Sequence, residues 1–398
     1  KLGFYFYSKL AKKLIRDEDA FIINTFLPTE KEAMLEIALG QFPQFWKFKW
    51  SQNSNYNLIK KLPDTSTREN LKKKFLDNSC QSLENIMRHL LFELLPVCYL
   101  EGFEDLQKNV RDQYWPKFPK FIFTSNNFYF DEVFKLYAAL NVEAGKKYYV
   151  GQHGGNYGTQ RYKSPRIEEL TADKFITWGW KDGMSQHTPG FIFKRAGRKK
   201  LNHNPSGKLL LIEYGYTKHD STYDRKFDHI KFLNNQLAFV DNLHTTPRQE
   251  LLVRLFNKNF RKDYWCEESR WYDFDPNIRI DNGIKKIDNL ISSSRLIVYS
   301  YDSTGMLETL SDNIPTIAFW TEEQAILDSA KPYYQLLADV GIIHFSPISA
   351  ALKINEIWDN VENWWEQSKL QNARKMFCDR YAKKSRNPVS EIKQILLS

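Results

Sequence analysis

The sequence predicts an α/β protein of two Rossmann-like domains facing a cleft, with extra helices at the N-terminal end. Three observations carry this reading. From about residue 119 short apolar runs alternate with helical stretches, several of the runs end in small polar or glycine-bearing loops, and a basic, turn-rich break at residues 194–208 (KRAGRKKLNHNPSGK) divides them into two blocks. The 398 residues also suit two domains, at roughly 100–200 residues per domain.

In chain order, residues 1–115 read as mostly helical. Leu83, Ile86, Met87, Leu90, Leu91 and Leu94 recur at spacings of three and four, which predicts a helix over 82–95 with one apolar face. The period changes at residues 120–125 (KFIFTS), a β-type run followed by a helical stretch over 131–140. Residues 148–151 (YYVG) lead into the loop 152–158 (QHGGNYG), and 174–178 (KFITW) into a second glycine-bearing loop. The break at 194–208 reads as an interdomain linker. Beyond it, residues 209–213 (LLLIE), 251–256 (LLVRLF), 296–299 (LIVY) and 316–320 (TIAFW) are runs of the kind buried in parallel sheets. A long helix over 354–381, rich in tryptophan (Trp358, Trp364, Trp365), is placed to pack across both domains. The expected domains are residues 1–200 and 206–380, with 381–398 a C-terminal helix returning to the first.

Lys and Arg number 57 against 48 Asp and Glu, a net charge of +9, so partners are expected to be anionic. Aromatic residues are 15% of the chain, enough for stacking on sugars or bases after the core is filled. The four cysteines (Cys80, Cys98, Cys266, Cys378) form no CxxC pair, which points away from zinc and disulfides and toward a reducing cytoplasm. No apolar run reaches the ~18 residues of a spanning helix, and residues 1–14 lack the apolar stretch of a signal peptide. A cytoplasmic protein, peripheral at an anionic inner membrane, is expected.

In doubly wound sheets ligands sit beyond the carboxyl ends of strands, so the strand-end loops supply the candidates. After 296–299 the chain reads YSYDSTGMLETL. Ser303, Thr304 and the backbone at Gly305, opening a helix, suit a phosphate, and Glu308 suits ribose hydroxyls; the structural alternative is an ordinary Ser N-cap. After 209–213 come Lys218, His219 and Asp220, where Asp220 is either a cleft-facing carboxylate or the cap of the next helix. In QHGGNYG, Gln152, Gly154 and Gly155 would face an acceptor and His153 suits a general base, with Glu168 or the adjacent Glu169 as further carboxylates. The alternatives there are a structural histidine and a solvated helix face. Arg254, a charge in an apolar run, needs either an anionic ligand or a carboxylate such as Glu213.

The set QHGGNYG, KFITWGW, VRLF, YDSTGMLETL, NIPTIAFW and FCDRYA resembles surface-carbohydrate transferases related to bacterial β-Kdo glycosyltransferases, over about residues 119 to 385. The nearest resemblance is to the N-terminal retaining β-Kdo (3-deoxy-D-manno-oct-2-ulosonic acid) transferase domain of O-antigen synthases, and it implies a GT-B-like glycosyltransferase architecture. By that resemblance the first domain is the acceptor side and the second binds CMP-β-Kdo, from which Kdo passes to a lipopolysaccharide O-antigen glycan. His219-Asp220-Ser221-Thr222 stands where capsule enzymes carry Gly-Asp-Ala/Ser-Ser with the nucleophilic aspartate. Asp220 is therefore the implied nucleophile, with Asp224 and Asp228 as fallbacks. The capsule pattern Ser-x-x-Gly-Phe-Glu-Ala-Leu aligns with Ser303 to Leu310, keeping Ser303 and Glu308, while the glycine moves to Gly305.

The implied chemistry is a double displacement with retention. Ser303, Thr304 and the helix start, with Lys218 or Lys258, stabilise departing CMP; Arg254 meets the Kdo carboxylate; His153 or Glu168 deprotonates the acceptor. Neither a cofactor nor a metal is expected. Further glycosyltransferase domains of the same synthase are possible partners, and nucleic acid is not expected as one. A CDP-glycerol or polyol-phosphate transferase is the rival within the fold, and a basic nucleic-acid-binding module the remote one.

Overall fold

A computed structural model describes residues 13–44, 46, 61–75, 82–161, 166–215, 229–256, 267–321 and 325–398. They belong to two compact units, Lys1–Gly151 and Gln152–Ser398. The division falls after the YYVG strand, within the span expected for the first domain, and not at the basic segment.

In the first unit β2 (Phe121–Thr124) lies between β1 (Phe21–Ile23) and β3 (Lys147–Gly151), all parallel. β1 corrects the helical reading of residues 1–115. Its three residues, FII, are too few to display a period, yet each is at most 1% exposed and Phe21 pairs with Ile122. Helices α1 (Thr29–Ala38), α2 (Thr65–Phe75), α3 (Leu83–Leu94) and α4 (Phe103–Arg111) fill the connection from β1 to β2, and α5 (Glu132–Glu143) follows β2. The described helices are thus crossover structure rather than an N-terminal addition. α3 begins as expected, with the Ser82 hydroxyl accepting from the Asn85 N–H, but its apolar face is not core: Leu83 and Leu94 are each 74% exposed and no residue of the helix is buried. Arg68 of α2 holds the end of α3 by donating to Glu101 and to the carbonyls of Phe92 and Leu95.

The second unit contains the parallel pair β4 (Lys174–Thr177) and β5 (His187–Pro189), and a six-stranded parallel sheet. Its strands are β6 (Lys208–Ile212), β7 (Leu251–Arg254), β8 (Ile280–Asp281), β9 (Ser294–Tyr299), β10 (Thr316–Phe319) and β11 (Ile343–His344). The order β11-β10-β9-β6-β7-β8 is the 3-2-1-4-5-6 arrangement of dinucleotide-binding folds. Leu209, Leu210 and Leu211 are fully buried, as are Leu296 and Ile297 beside them in register; each such side chain contributes ~1.5–3 kcal/mol. The helices are α6 (Ile167–Thr171), α7 (His229–Asp241), α8 (Thr245–Gln249), α9 (Glu267–Phe274), α10 (Ile287–Ser292), α11 (Thr304–Ser311), α12 (Lys331–Asp339), α13 (Pro347–Ile357), α14 (Val361–Trp365), α15 (Ser368–Tyr381) and α16 (Pro388–Leu397).

Two further expectations are corrected. The long helix over 354–381 is broken into α13, a 3₁₀ turn over Trp358–Asn360, α14 and α15. Buried indole N–H groups need acceptors, and the bends deliver Trp364 Nε1 to the Val340 carbonyl (3.2 Å) and Trp365 Nε1 to Asn313 Oδ1 (3.0 Å). The basic segment at 194–208 is packed rather than a loose linker. Arg195, 5% exposed, pairs with Asp312 at the end of α11, which also receives Lys384 Nζ at 2.5 Å. α16 meets β4, where Lys174 Nζ donates to the Ile395 carbonyl (2.9 Å).

Candidate functional site

β6 and β9 are neighbours whose onward connections lead to opposite sides of the sheet. The crevice beyond their carboxyl ends is the topological switch point, the usual ligand position in such sheets. Tyr214, just past β6, and Tyr301, just past β9, meet there edge to face with ring centroids 5.3 Å apart. Beneath them lies a buried polar network. Gln236 Nε2 donates to Ser300 Oγ (3.1 Å), Arg270 Nη2 to Gln236 Oε1 (2.9 Å) and Trp271 Nε1 to Glu213 Oε1 (2.9 Å). Burial, and then the charge of Glu267, pushes the Glu213 carboxyl well above the usual carboxylate range.

The YDST segment opens α11. Ser303 is its N-cap, its hydroxyl accepting from the Met306 N–H at 3.0 Å, and it is 3% exposed. Gly305 is a glycine for a packing reason: a Cβ there would lie 2.7 Å from Tyr299 Cε1. Glu308 stands 3.8 Å from Lys194, and burial nevertheless pushes its carboxyl upward.

The loop after β3 docks on this segment. The Gly155 N–H donates to Thr304 Oγ1 (2.8 Å) and Gln160 Nε2 donates to Asp302 Oδ2 (2.7 Å), which also accepts from the Tyr334 hydroxyl (2.9 Å). Further along, Gln160 bridges Ile326 and Arg161 Nη2 reaches Asp328 Oδ1 (2.7 Å). The glycines permit this approach, since a Cβ at Gly155 would lie 3.2 Å from the Thr304 nitrogen and one at Gly154 3.4 Å from Thr304 Oγ1. They fit the loop to the helix start. Gln152, also expected to touch an acceptor, is 1% exposed. Its Oε1 accepts from Trp178 N–H (2.9 Å) and Trp180 Nε1 (2.8 Å), and its Nε2 donates to the Gly154 carbonyl (2.9 Å). It is the anchor of the loop, not its surface.

His153 sits half-buried on that loop with Nδ1 3.1 Å from the Tyr157 hydroxyl, which donates to Glu168 Oε1 at 2.5 Å. Tyr157 and Glu168 are 1% and 2% exposed. Arg166 lies 3.6 Å above the Tyr157 ring and 3.9 Å from Glu168 Oε1. Glu168 and Glu169 were expected as candidate carboxylates, with a solvated helix face as the alternative; both are buried, which excludes the solvated face. They face different partners, Glu169 Oε2 lying 3.1 Å from His187 Nε2, whose Nδ1 is 2.6 Å from Asp182.

Arg254 already has a carboxylate, Asp281 on β8, so Glu213 is not its partner. Asp220, Lys218 and Lys258, with the fallbacks Asp224 and Asp228, lie outside the described residues. Sequence reasoning missed Tyr157, Arg166, Gln160, Asp302 and Tyr334. Tyr157 stands inside the QHGGNYG motif, but its link to a carboxylate eleven residues on appears only once the loop is folded.

The sequence matches a family model over residues 3–396, nearly the whole chain. The chain belongs to the LIC12162 family of transferases. No curated protein matches this transferase. Among solved structures the transferase is similar to the wall teichoic acid polymerase TagF, at 14% identity and TM-score 0.38 over 73% of this chain and 83% of that one. It is similar to MurG of Acinetobacter baumannii at 12% identity and TM-score 0.39, over 75% and 78% of the two chains. The spinosyn rhamnosyltransferase SpnG gives 9% identity and TM-score 0.42 over 96% of this chain and 100% of that one.

Proposed function

We propose that this transferase is a glycosyltransferase that moves Kdo from CMP-β-Kdo to a lipopolysaccharide O-antigen glycan with retention, through an aspartyl-Kdo adduct on Asp220. The observation that carries group transfer from a phosphate-activated donor is the docking of the His153 loop on the YDST helix start, Gly155 N–H to Thr304 Oγ1 at 2.8 Å. It joins a candidate base to a candidate phosphate site at the switch point of one sheet. Kdo itself rests on the motif resemblance.

In this reading Asp220 attacks the anomeric carbon and the carbon–oxygen bond to CMP breaks. CMP leaves as a phosphate stabilised by Thr304, the first turn of α11 and lysines such as Lys218 and Lys258. His153 Nε2 then takes the proton of an acceptor hydroxyl, whose oxygen displaces Asp220. Arg254 meets the Kdo carboxylate, which would share it with Asp281. A peripheral position at an anionic membrane suits the net charge of +9, and no helix among the described residues is long and apolar enough to cross one.

A CDP-glycerol or polyol-phosphate transfer is the second reading, favoured by the complete base arrangement at His153, because such an enzyme needs a base but no nucleophile. Intact-mass spectrometry after incubation with CMP-Kdo generated in situ separates the two. One added Kdo unit in wild type, absent from Asp220→Ala, is the expected result. Turnover of a CDP-polyol donor undiminished in Asp220→Ala would replace the Kdo reading with the second.

A further inference from the structure

We infer that Tyr157 is a positioning residue that fixes His153 in the tautomer with the proton on Nδ1 and the lone pair on Nε2, with Glu168 as the charge anchor rather than the base. This rests on the reading of His153 as the acceptor base and assigns the carboxylate a different task. A phenol has one proton to give. Tyr157 gives it to Glu168 Oε1 at 2.5 Å, because a carboxylate only accepts. Toward His153 Nδ1, 3.1 Å away, the same oxygen is then an acceptor, so Nδ1 must be the donor. A neutral imidazole protonated at Nδ1 carries its basic lone pair on Nε2.

The surroundings hold each member in place. The Tyr157 ring packs 5.2 Å from Phe175 on one side and beneath the Arg166 guanidinium on the other. Arg166 also supplies the counter-charge for Glu168, 3.9 Å away. Next in sequence, Gly158 has φ +65° and a Cβ there would fall 2.6 Å from the Trp180 ring, so the turn that follows Tyr157 packs closely on Trp180 and requires glycine. During transfer the acceptor hydroxyl proton passes to Nε2 and the imidazolium keeps its Nδ1 proton on Tyr157. The Tyr157 proton remains shared with Glu168, whose negative charge offsets the new positive one. The logic is that of an oriented base in which a third group fixes the tautomer.

The test combines tautomer and turnover in the full chain. With ¹⁵N-labelled histidine, long-range ¹H–¹⁵N spectra of wild type and His153→Gln assign the His153 resonances among the eight histidines. The expected result is an Nδ1-protonated ring in wild type and a change of tautomer in Tyr157→Phe, which keeps the ring packing. Glu168→Gln, which still offers an acceptor oxygen to Tyr157, is expected to keep the tautomer. Turnover in Tyr157→Phe is expected to fall roughly tenfold to a hundredfold in kcat with KM little changed. An Nε2-protonated ring in wild type, or one indifferent to Tyr157→Phe, overturns the inference. So does complete loss of turnover in Glu168→Gln with the tautomer intact, since Glu168 would then be the base. Failure of wild type to use any activated sugar would sink the functional reading alone, because the tautomer is read without activity.

Discussion

A methyl group at Gly305 would press on the Tyr299 ring, 2.7 Å from Cε1 and 2.9 Å from the hydroxyl. Tyr299 is 2% exposed and has little room to retreat. Gly305→Ala is therefore expected to destabilise the protein by about 1–3 kcal/mol, as overpacking does, which urea denaturation would measure; an unchanged midpoint would show that the ring gives way. Thr304 raises a different question, because its hydroxyl receives the loop carrying His153. Thr304→Val keeps the shape but strands the Gly155 N–H, and is expected to cost about 1 kcal/mol and to lower turnover, whereas Thr304→Ser restores both. Equal effects of valine and serine would disconnect the loop from the hydroxyl. At this scale the sequence was legible in part. Ser303 was read both as phosphate ligand and as helix cap, and its bond to the Met306 N–H makes it the cap. Gln152 was misplaced because a glutamine beside glycines looks like a loop residue, whereas Trp178 and Trp180 claim its carboxamide.

Between α6 and β5 a buried histidine meets two carboxylates. Burial pulls the His187 pKa down, but Glu169 and Asp182 outweigh it and the net shift is upward. A group whose folded value exceeds its unfolded one contributes stability that is complete below the unfolded value, about 6.5 for histidine. That contribution is lost as pH rises through the folded value. His203 and His344, held below the ordinary value by burial, act in the opposite direction. The difference between wild type and His187→Gln isolates the first effect: the stability advantage of wild type is expected to shrink as pH climbs above about 6.5, and an advantage that grows with pH would refute the sign. At the ends of α11, Asp312 receives Arg195 and Lys384 from either side of it in sequence. Removing one partner of a buried pair leaves a charge unmet, so Asp312→Ala is expected to lose about 3–5 kcal/mol, measured by chemical denaturation. A loss below 1 kcal/mol would mean that water or Asp288, 3.9 Å from Arg195, takes over. Neither cluster was visible as a sequence pattern, since Glu169 lies 18 residues from His187, and Arg195 and Lys384 lie 117 and 72 residues from Asp312.

For the molecule as a whole, the parallel sheets and their strands were legible because fully buried parallel strands read as unbroken apolar runs. The runs LLLIE, LLVRLF, LIVY and TIAFW fall on β6, β7, β9 and β10. Strands of two or three residues, such as β1, β8 and β11, were invisible for the complementary reason that so short a run has no period. The family follows from nearly the whole chain at once. The proposed reaction draws on segments that follow strands of two different sheets in the chain, His153 after β3 and Asp220 after β6: His153→Ala and Asp220→Ala are each expected to reduce transfer by about 10² or more, with thermal unfolding unchanged. Full activity in either would remove that residue from the reaction.

What the sequence by itself determined was local: apolar run length set the strands, loop composition marked where chemistry sits, and motifs assigned a transferase. Only the tertiary structure decided the partners. Strand order brought the ends of β6 and β9 together at a switch point, and packing set Gly154 and Gly155 against Thr304. Folding also joined His153, Tyr157 and Glu168 into one hydrogen-bonded chain. The physical reason is that periodicity reports which side of an element is apolar, whereas a hydrogen bond between distant residues is specified by three-dimensional distance and by the single proton a donor has to give.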